Sequence, residues 1–172
     1  WALEGATREL LATTDETRPL GVIVGGDVGR PLFASEELPW IRSRSLVTLA
    51  FEALGAGGRA LEQAVAYARE RHQFGRPIGA YQALARSLAW WAAWTVQHDD
   101  PLGPVAAASA KAAAAEAGVA ACERAIQTLG GTGFTWESPV QRLYKRTLWI
   151  RAWEASGDQL RSEVAAHLLD TP

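Results

Sequence analysis

From Leu46 onward, apolar residues recur every third, fourth and seventh position. Leu46, Leu49, Ala50, Ala53, Leu54, Leu61, Ala64, Val65 and Ala68 fall on one stripe, which predicts an amphipathic helix. Ser45 stands before that stripe as its N-cap. Gly75, with Pro77 beyond it, marks the stop. The same periodicity predicts a second helix over 81–98, broken by D-D-P-L-G-P at 99–104. An Ala-rich third helix fits 105–129, where small side chains permit close approach and propensity is high. Gly130 and Gly131 end it. Pro139, preceded by Ser138 as N-cap, opens a fourth helix, and a last fits 157–169.

Before this, the pattern is different. Leu20 and the run Val22-Ile23-Val24 are β-prone, and Gly25, Gly26 and Asp27 supply turn chemistry. Pro31 and Pro39 punctuate a loop. At most two short strands are predicted ahead of Arg44. The chain therefore reads as mainly α: an antiparallel four-helix-type bundle over 45–172, since long helices with short loops favour antiparallel neighbours, preceded by a short β and loop segment over 1–44.

Composition narrows the class. The 172 residues are 48% apolar and 21% charged, the profile of a globular chain with a core. A formal net charge of −2 gives no basic field for nucleic acid. No apolar run approaches the roughly 20 residues of a membrane span, so no membrane partner is expected. The lone Cys122 suits a reducing cytoplasm. Eight Trp and no Met are unusual, and a chain opening at Trp1 without Met reads as part of a longer polypeptide.

Three segments carry candidate chemistry. Y-A-R-E-R-H-Q-F-G-R-P-I-G-A-Y-Q, 67–82, gathers Arg69, Arg71 and Arg76 at a helix end. They could fork onto phosphate oxygens or merely satisfy the helix dipole. A-I-Q-T-L-G-G-T-G-F, 125–134, has glycines that admit a ligand close to backbone, or form an ordinary C-cap. R-L-Y-K-R-T-L-W-I-R-A-W-E-A-S-G, 142–157, sets Glu154 near the end of the fourth helix, where the dipole disfavours a carboxylate. Apolar walls from Trp149 and Trp153 would suit Glu154 to proton abstraction. A solvent-facing Glu154 is the alternative.

In this order the three segments resemble the C-terminal helical domain of acyl-CoA dehydrogenases. The first is very similar to the family signature at the end of that domain's first helix. The second is similar to A-I-Q-x-x-G-G-x-G-Y/F. P-V-Q-R-L-Y-K-R followed by W-E-A-S stands where the family has P-V-x-R-L-Y-R-D and Y-E-G-T. D-E-T-R-P-L-G-V from Asp15 resembles the close of the family's β domain.

The resemblance implies FAD bound between subunits of a dimer, commonly within a tetramer. Arg71 would hold the FAD pyrophosphate of the neighbouring subunit, and Phe74 and Gln82 would line the same cofactor. Gln127, Gly130 and Gly131 would contact its adenosine portion. Glu154 would be the base that removes the α-proton of an acyl-CoA as the β-hydrogen leaves as hydride, giving a trans-2-enoyl-CoA. Ser156 stands where a Thr touches flavin. Electrons would pass to an electron-transfer flavoprotein or a similar acceptor.

The chain also departs from the family. Some members carry the base on the first helix, and Ser45 occupies that position. The family's substrate-side Arg aligns with Leu46; Arg44 is close but out of register. Lys145-Arg146 replaces R-D. Between Gln82 and Lys111 the chain is about a dozen residues short, on the order of three helical turns. A catalytic subunit, a non-catalytic partner completing another chain's FAD site, and a plain helical oligomerisation domain are the three functions to separate.

Overall fold

The computed structural model describes residues 3–70 and 80–170. Among them are four short strands and five α-helices: β1 (Leu3–Glu4), β2 (Thr7–Leu11), β3 (Leu20–Val24), β4 (Asp27–Val28), α1 (Leu38–Glu70), α2 (Ala80–Gln97), α3 (Gly103–Leu129), α4 (Pro139–Ala152) and α5 (Gly157–Asp170). The helical bundle agrees with the sequence reading. The β segment is more extensive than the two strands expected. β2 and β3 pair antiparallel from Thr7 against Val24 to Leu11 against Leu20, and β1 pairs with β4.

The four strands form one hairpin with a jog in it. Gly25 and Gly26, expected to supply turn chemistry, make the break between β3 and β4, with φ of 69° and 91°, a region open to glycine without steric cost. The hairpin's connecting loop is 12–19. There Asp15 accepts from the Thr17 amide at 3.0 Å and Arg18 N–H bonds back to Asp15 O. The loop docks on the bundle. Arg146 of α4 donates from Nε to Asp15 at 2.5 Å and also bonds Glu52 of α1, while Arg18 bonds Glu52 and lies 4.4 Å from the Trp149 ring.

α1 begins seven residues before the expected N-cap, at Leu38 rather than Ser45. Pro39 starts the helix instead of punctuating a loop, because a first-turn N–H has no intrahelical acceptor to lose. A 3₁₀ turn over Ser35–Glu37 leads in, and the Glu37 carboxylate accepts the Ala34 amide at 2.8 Å. Ser45 is therefore an exposed residue on the helix side. Ser138 does precede α4 in extended conformation, but its side chain makes no cap bond.

α3 is the centre of the bundle and packs against the other four helices. Its alanines explain why. Ala106, Ala110, Ala114 and Ala115 meet Leu49, Ala50 and Ala53 of α1, Ala89 and Ala92 of α2 and Ile150 of α4 in one cluster. Gly118 brings backbones closest: a Cβ there would lie 2.8 Å from Ala53 O and 3.1 Å from Thr147 Cγ2. Contrary to the expectation from apolar runs, α3 is long and apolar enough to cross a bilayer by length and composition. Its surface is spent on the other helices, and 72% of the apolar window is buried.

Candidate functional site

α4 ends at Ala152, two residues before Glu154. Trp153 turns extended at φ −68° and ψ 136°, and Glu154 adopts φ 66°. A non-glycine residue in that left-handed region costs about 1–2 kcal/mol. Two neighbours over-determine the turn. On its C-terminal side, Ser156 and Gln159 form a reciprocal cap for α5. The Ser156 amide donates to Gln159 Oε1 at 2.8 Å, and the Gln159 amide donates to Ser156 Oγ at 3.3 Å, the S-x-x-Q capping box. The Ser156 hydroxyl oxygen is thus engaged in helix capping, with its proton left to donate elsewhere.

On the other side stands Lys111 of α3, which is fully buried. Its Nζ donates to the carbonyls of Arg151 at 3.2 Å, Trp153 at 3.1 Å and Ala155 at 2.5 Å. Burial lowers the Lys111 ammonium below the ordinary lysine range, and the charge of Glu154 opposes that lowering. The ammonium answers the dipole conflict seen in the sequence, since a cation belongs at a helix C-terminus.

Glu154 itself is not walled by apolar groups as expected. Oε1 accepts from Nε of Arg42 on α1 at 2.5 Å. The same guanidinium donates from Nη1 and Nη2 to both oxygens of Glu163 on α5 at 3.0 Å. The bonds it donates to Glu163, with the one to Glu154, raise Arg42 above its ordinary range against the effect of burial. Trp149 and Trp153 stack on each other at 4.7 Å. They line a surface groove of about 400 Å³ together with Arg18, Ser45, Thr48 and Glu52. The groove opens beside the residue that precedes Glu154.

Arg42 and Lys111 were missed in the sequence. Arg42 sits one helical turn before Leu46, which is buried and cannot face a ligand. Arg44, the nearer candidate, stacks on Trp40 at 3.8 Å. Lys111 carried a usable signal: one ammonium amid a run of alanines on a helix due for burial, where lysine is almost never found without partners.

The second candidate group lies at the far end of α3. Gln127 is exposed on its last turn, and Gly130 and Gly131 open a 3₁₀ turn to Phe134. Gly130 has φ 62° and ψ −140°. Nothing lies within 4 Å of where a Cβ on Gly130 or Gly131 would be. Backbone, amide side chain and exposed Phe134 are all open to a ligand. A helix C-terminus disfavours phosphate, so this turn suits a neutral group better than an anion. Gln82 lies in the first turn of α2, and its side chain, like Arg71 and Phe74, is outside the described residues.

The two groups do not meet. Lys111, beside Glu154, and Gly130 are nineteen residues apart on one helix, about 28 Å at the helical rise. Within one chain the two groups are separate.

Comparison with known proteins identifies the family. The sequence pattern of the family described as "Acyl-CoA dehydrogenase, C-terminal domain" matches residues 44–92 and 83–169. The two stretches overlap at 83–92, within α2. A probable acyl-CoA dehydrogenase of Bacillus subtilis, YngJ, is 32% identical over 155 residues, covering 83% of this chain and 40% of the relative. The butyryl-CoA dehydrogenase of Megasphaera elsdenii superposes with a TM-score of 0.82 at 24% identity, over 97% of this chain and 49% of that one. A glutaryl-CoA dehydrogenase of Mycobacterium smegmatis solved with FADH2 superposes at 0.72 and 19% identity, over 96% and 48%. The chain thus spans half or less of the length of these proteins. It belongs to the acyl-CoA dehydrogenase family, whose C-terminal helical domain it carries.

Proposed function

We propose that this chain is the base-bearing part of an FAD-dependent acyl-CoA dehydrogenase, with Glu154 as the base. The observation that carries the reading is the left-handed Glu154 turn, held by a capping box and a buried lysine beside the tryptophan-lined groove. Strained backbone that its surroundings over-determine marks functional positions.

Glu154 would take the α-proton of the thioester onto a carboxylate oxygen as the α C–H bond breaks. FAD, when bound, would accept the β-hydrogen as hydride, leaving a trans-2-enoyl-CoA. The chain's own task is positioning and charge. Arg42 holds Glu154 through one hydrogen bond and Glu163 through two. Entry of the acyl chain can therefore free the base while the guanidinium keeps a bidentate partner.

The open Gln127–Gly130–Gly131 turn would receive the adenosine end of FAD, and Arg71, Phe74 and Gln82 would receive the rest. The separation of the half-sites supports a cofactor shared with a like or homologous subunit, as a dimer or tetramer. An exposed arc of α2 bearing Leu84, Trp90, Trp91 and Trp94 supports the same assembly, since apolar patches of this kind mark association surfaces. An electron-transfer flavoprotein or similar acceptor would reoxidise the flavin.

A second reading is a non-catalytic partner subunit. The Arg42 bond to Glu154 favours it, because a base held by a cation is not free to act. Anaerobic titration of the flavin-loaded protein with a panel of acyl-CoAs separates the two. Bleaching in wild type but not in Glu154→Gln supports the dehydrogenase. Bound flavin that no acyl-CoA bleaches supports the partner subunit.

A further inference from the structure

Lys111 has a role that Glu154's side-chain contacts do not reveal. Its ammonium has three N–H donors and meets three backbone carbonyls, so every donor is used. Those carbonyls belong to the last turn of α4 and to both neighbours of Glu154. Around them lies an apolar cluster that includes Leu46, Ala108, Ala112, Ala155 and Leu160. Without the ammonium, the carbonyl oxygens of Arg151 and Ala155 would lose this donor and Trp153 O would keep only the Ala155 amide at 2.8 Å, and partly buried acceptors are costly to leave unsatisfied. The chain would relieve this by unwinding the turn from Arg151 to Ala155, the turn that sets where Glu154 points.

We propose that Lys111 is the positioning residue of the base: by gathering the carbonyls of Arg151, Trp153 and Ala155 it fixes the left-handed turn that aims Glu154. The inference rests on the dehydrogenase reading above. It adds to that reading a residue on a different helix that touches neither substrate nor flavin. The site is split between elements accordingly: α4 and α5 supply the turn, and α3 supplies the pin. A one-ångström shift in a reacting group can lose a hundredfold in rate, which is the scale on which a pin of this kind acts.

The test compares wild type, Lys111→Met and Glu154→Gln in the flavin-loaded protein that contains this chain, with butyryl-, octanoyl- and isovaleryl-CoA as probes. Flavin content, melting temperature, bleaching rate per bound flavin, KM and amide exchange at 153–156 are read. Lys111→Met should retain flavin, lower the bleaching rate and kcat at least tenfold, leave KM within about twofold and speed exchange at 154–156. An equal rate per bound flavin, whatever the melting temperature, overturns the proposal and leaves Lys111 a structural residue. If Lys111→Met does not accumulate, Lys111→Gln, with two N–H donors and no charge, is judged by the same criteria. Wild type bleached by none of the probes sinks the dehydrogenase reading and this inference with it. Bleached wild type with an unaffected lysine variant sinks the inference alone.

Discussion

Nε of Arg42 lies 2.5 Å from Oε1 of Glu154, joining α1 to the turn after α4 across 112 positions of sequence. The guanidinium is shared with Glu163, so two carboxylates compete for one cation. Only one of them borders the groove through its neighbour Trp153.

The pair gives a contrast. Glu154→Gln should lower the rate of flavin bleaching by about 10²–10⁴, the usual contribution of a general base. Glu163→Gln removes the other end of the same network and should leave the rate within about threefold. It should cost less than about 1 kcal/mol of stability, since the pair is largely exposed. Equal losses in the two variants would assign the network a structural role only.

A second prediction concerns acid. Burial pushes Asp15 up, but hydrogen bonds from Thr17 and Arg146 outweigh it and hold the carboxyl below its ordinary range. Glu52 behaves alike: burial raises it, and Arg18 and Arg146 lower it further than burial raises it. Carboxyls with depressed folded values stabilise above the ordinary carboxylate range, about 4. That stability is lost as pH falls through the lowered values. Melting temperature should therefore fall below about pH 4.5. Arg146→Met should destabilise at pH 7 by about 2–3 kcal/mol, leaving buried Asp15 without its cation, and should flatten the acid-side slope. An unchanged slope refutes the role given to Arg146.

Glycines provide a third. Gly118→Ala places a methyl 2.8 Å from the Ala53 carbonyl oxygen. Overpacking of this kind costs about 1–3 kcal/mol, more than the helix propensity gained. At Gly55 nothing lies within 4 Å of an added Cβ, so Gly55→Ala should stabilise by up to about 1 kcal/mol. Urea midpoints of the two variants should move in opposite directions.

Cys122 provides a fourth. Burial pushes its thiol up to about 11, with Thr147 working slightly against the rise. The thiolate is the reactive form, so iodoacetamide at pH 8 should label the urea-unfolded protein readily and spare the folded one. Labelling of the folded protein at neutral pH would contradict the packing of α3 against α4.

Much of this was legible in the sequence because helices declare themselves locally. The stripe from Leu46, the glycines at 130 and 131 and Pro139 each mark a feature within a few residues, and α2 to α5 are found where the sequence predicts them. The start of α1 was misread because Pro39 is as common in a loop as in a helix's first turn. The hairpin was underestimated because β1 and β2 are identified by partners nine to 25 residues away, not by their own pattern. The site divided along the same line. Glu154 stood out through its neighbours in sequence. Arg42 and Lys111 reach its turn from helices far along the chain; nothing near Arg42 announces the contact, and Lys111 shows only as a lone ammonium among alanines.

The alanine-lined rod that separates Lys111 from Gly130 is a gauge. Adding or removing one residue between them would slide the glycine turn by about 1.5 Å and rotate it by about 100° relative to the lysine. Either change would take one half-site out of alignment with a neighbouring copy. The interval between the two groups is therefore set within α3 alone, and the length of α2 does not enter it.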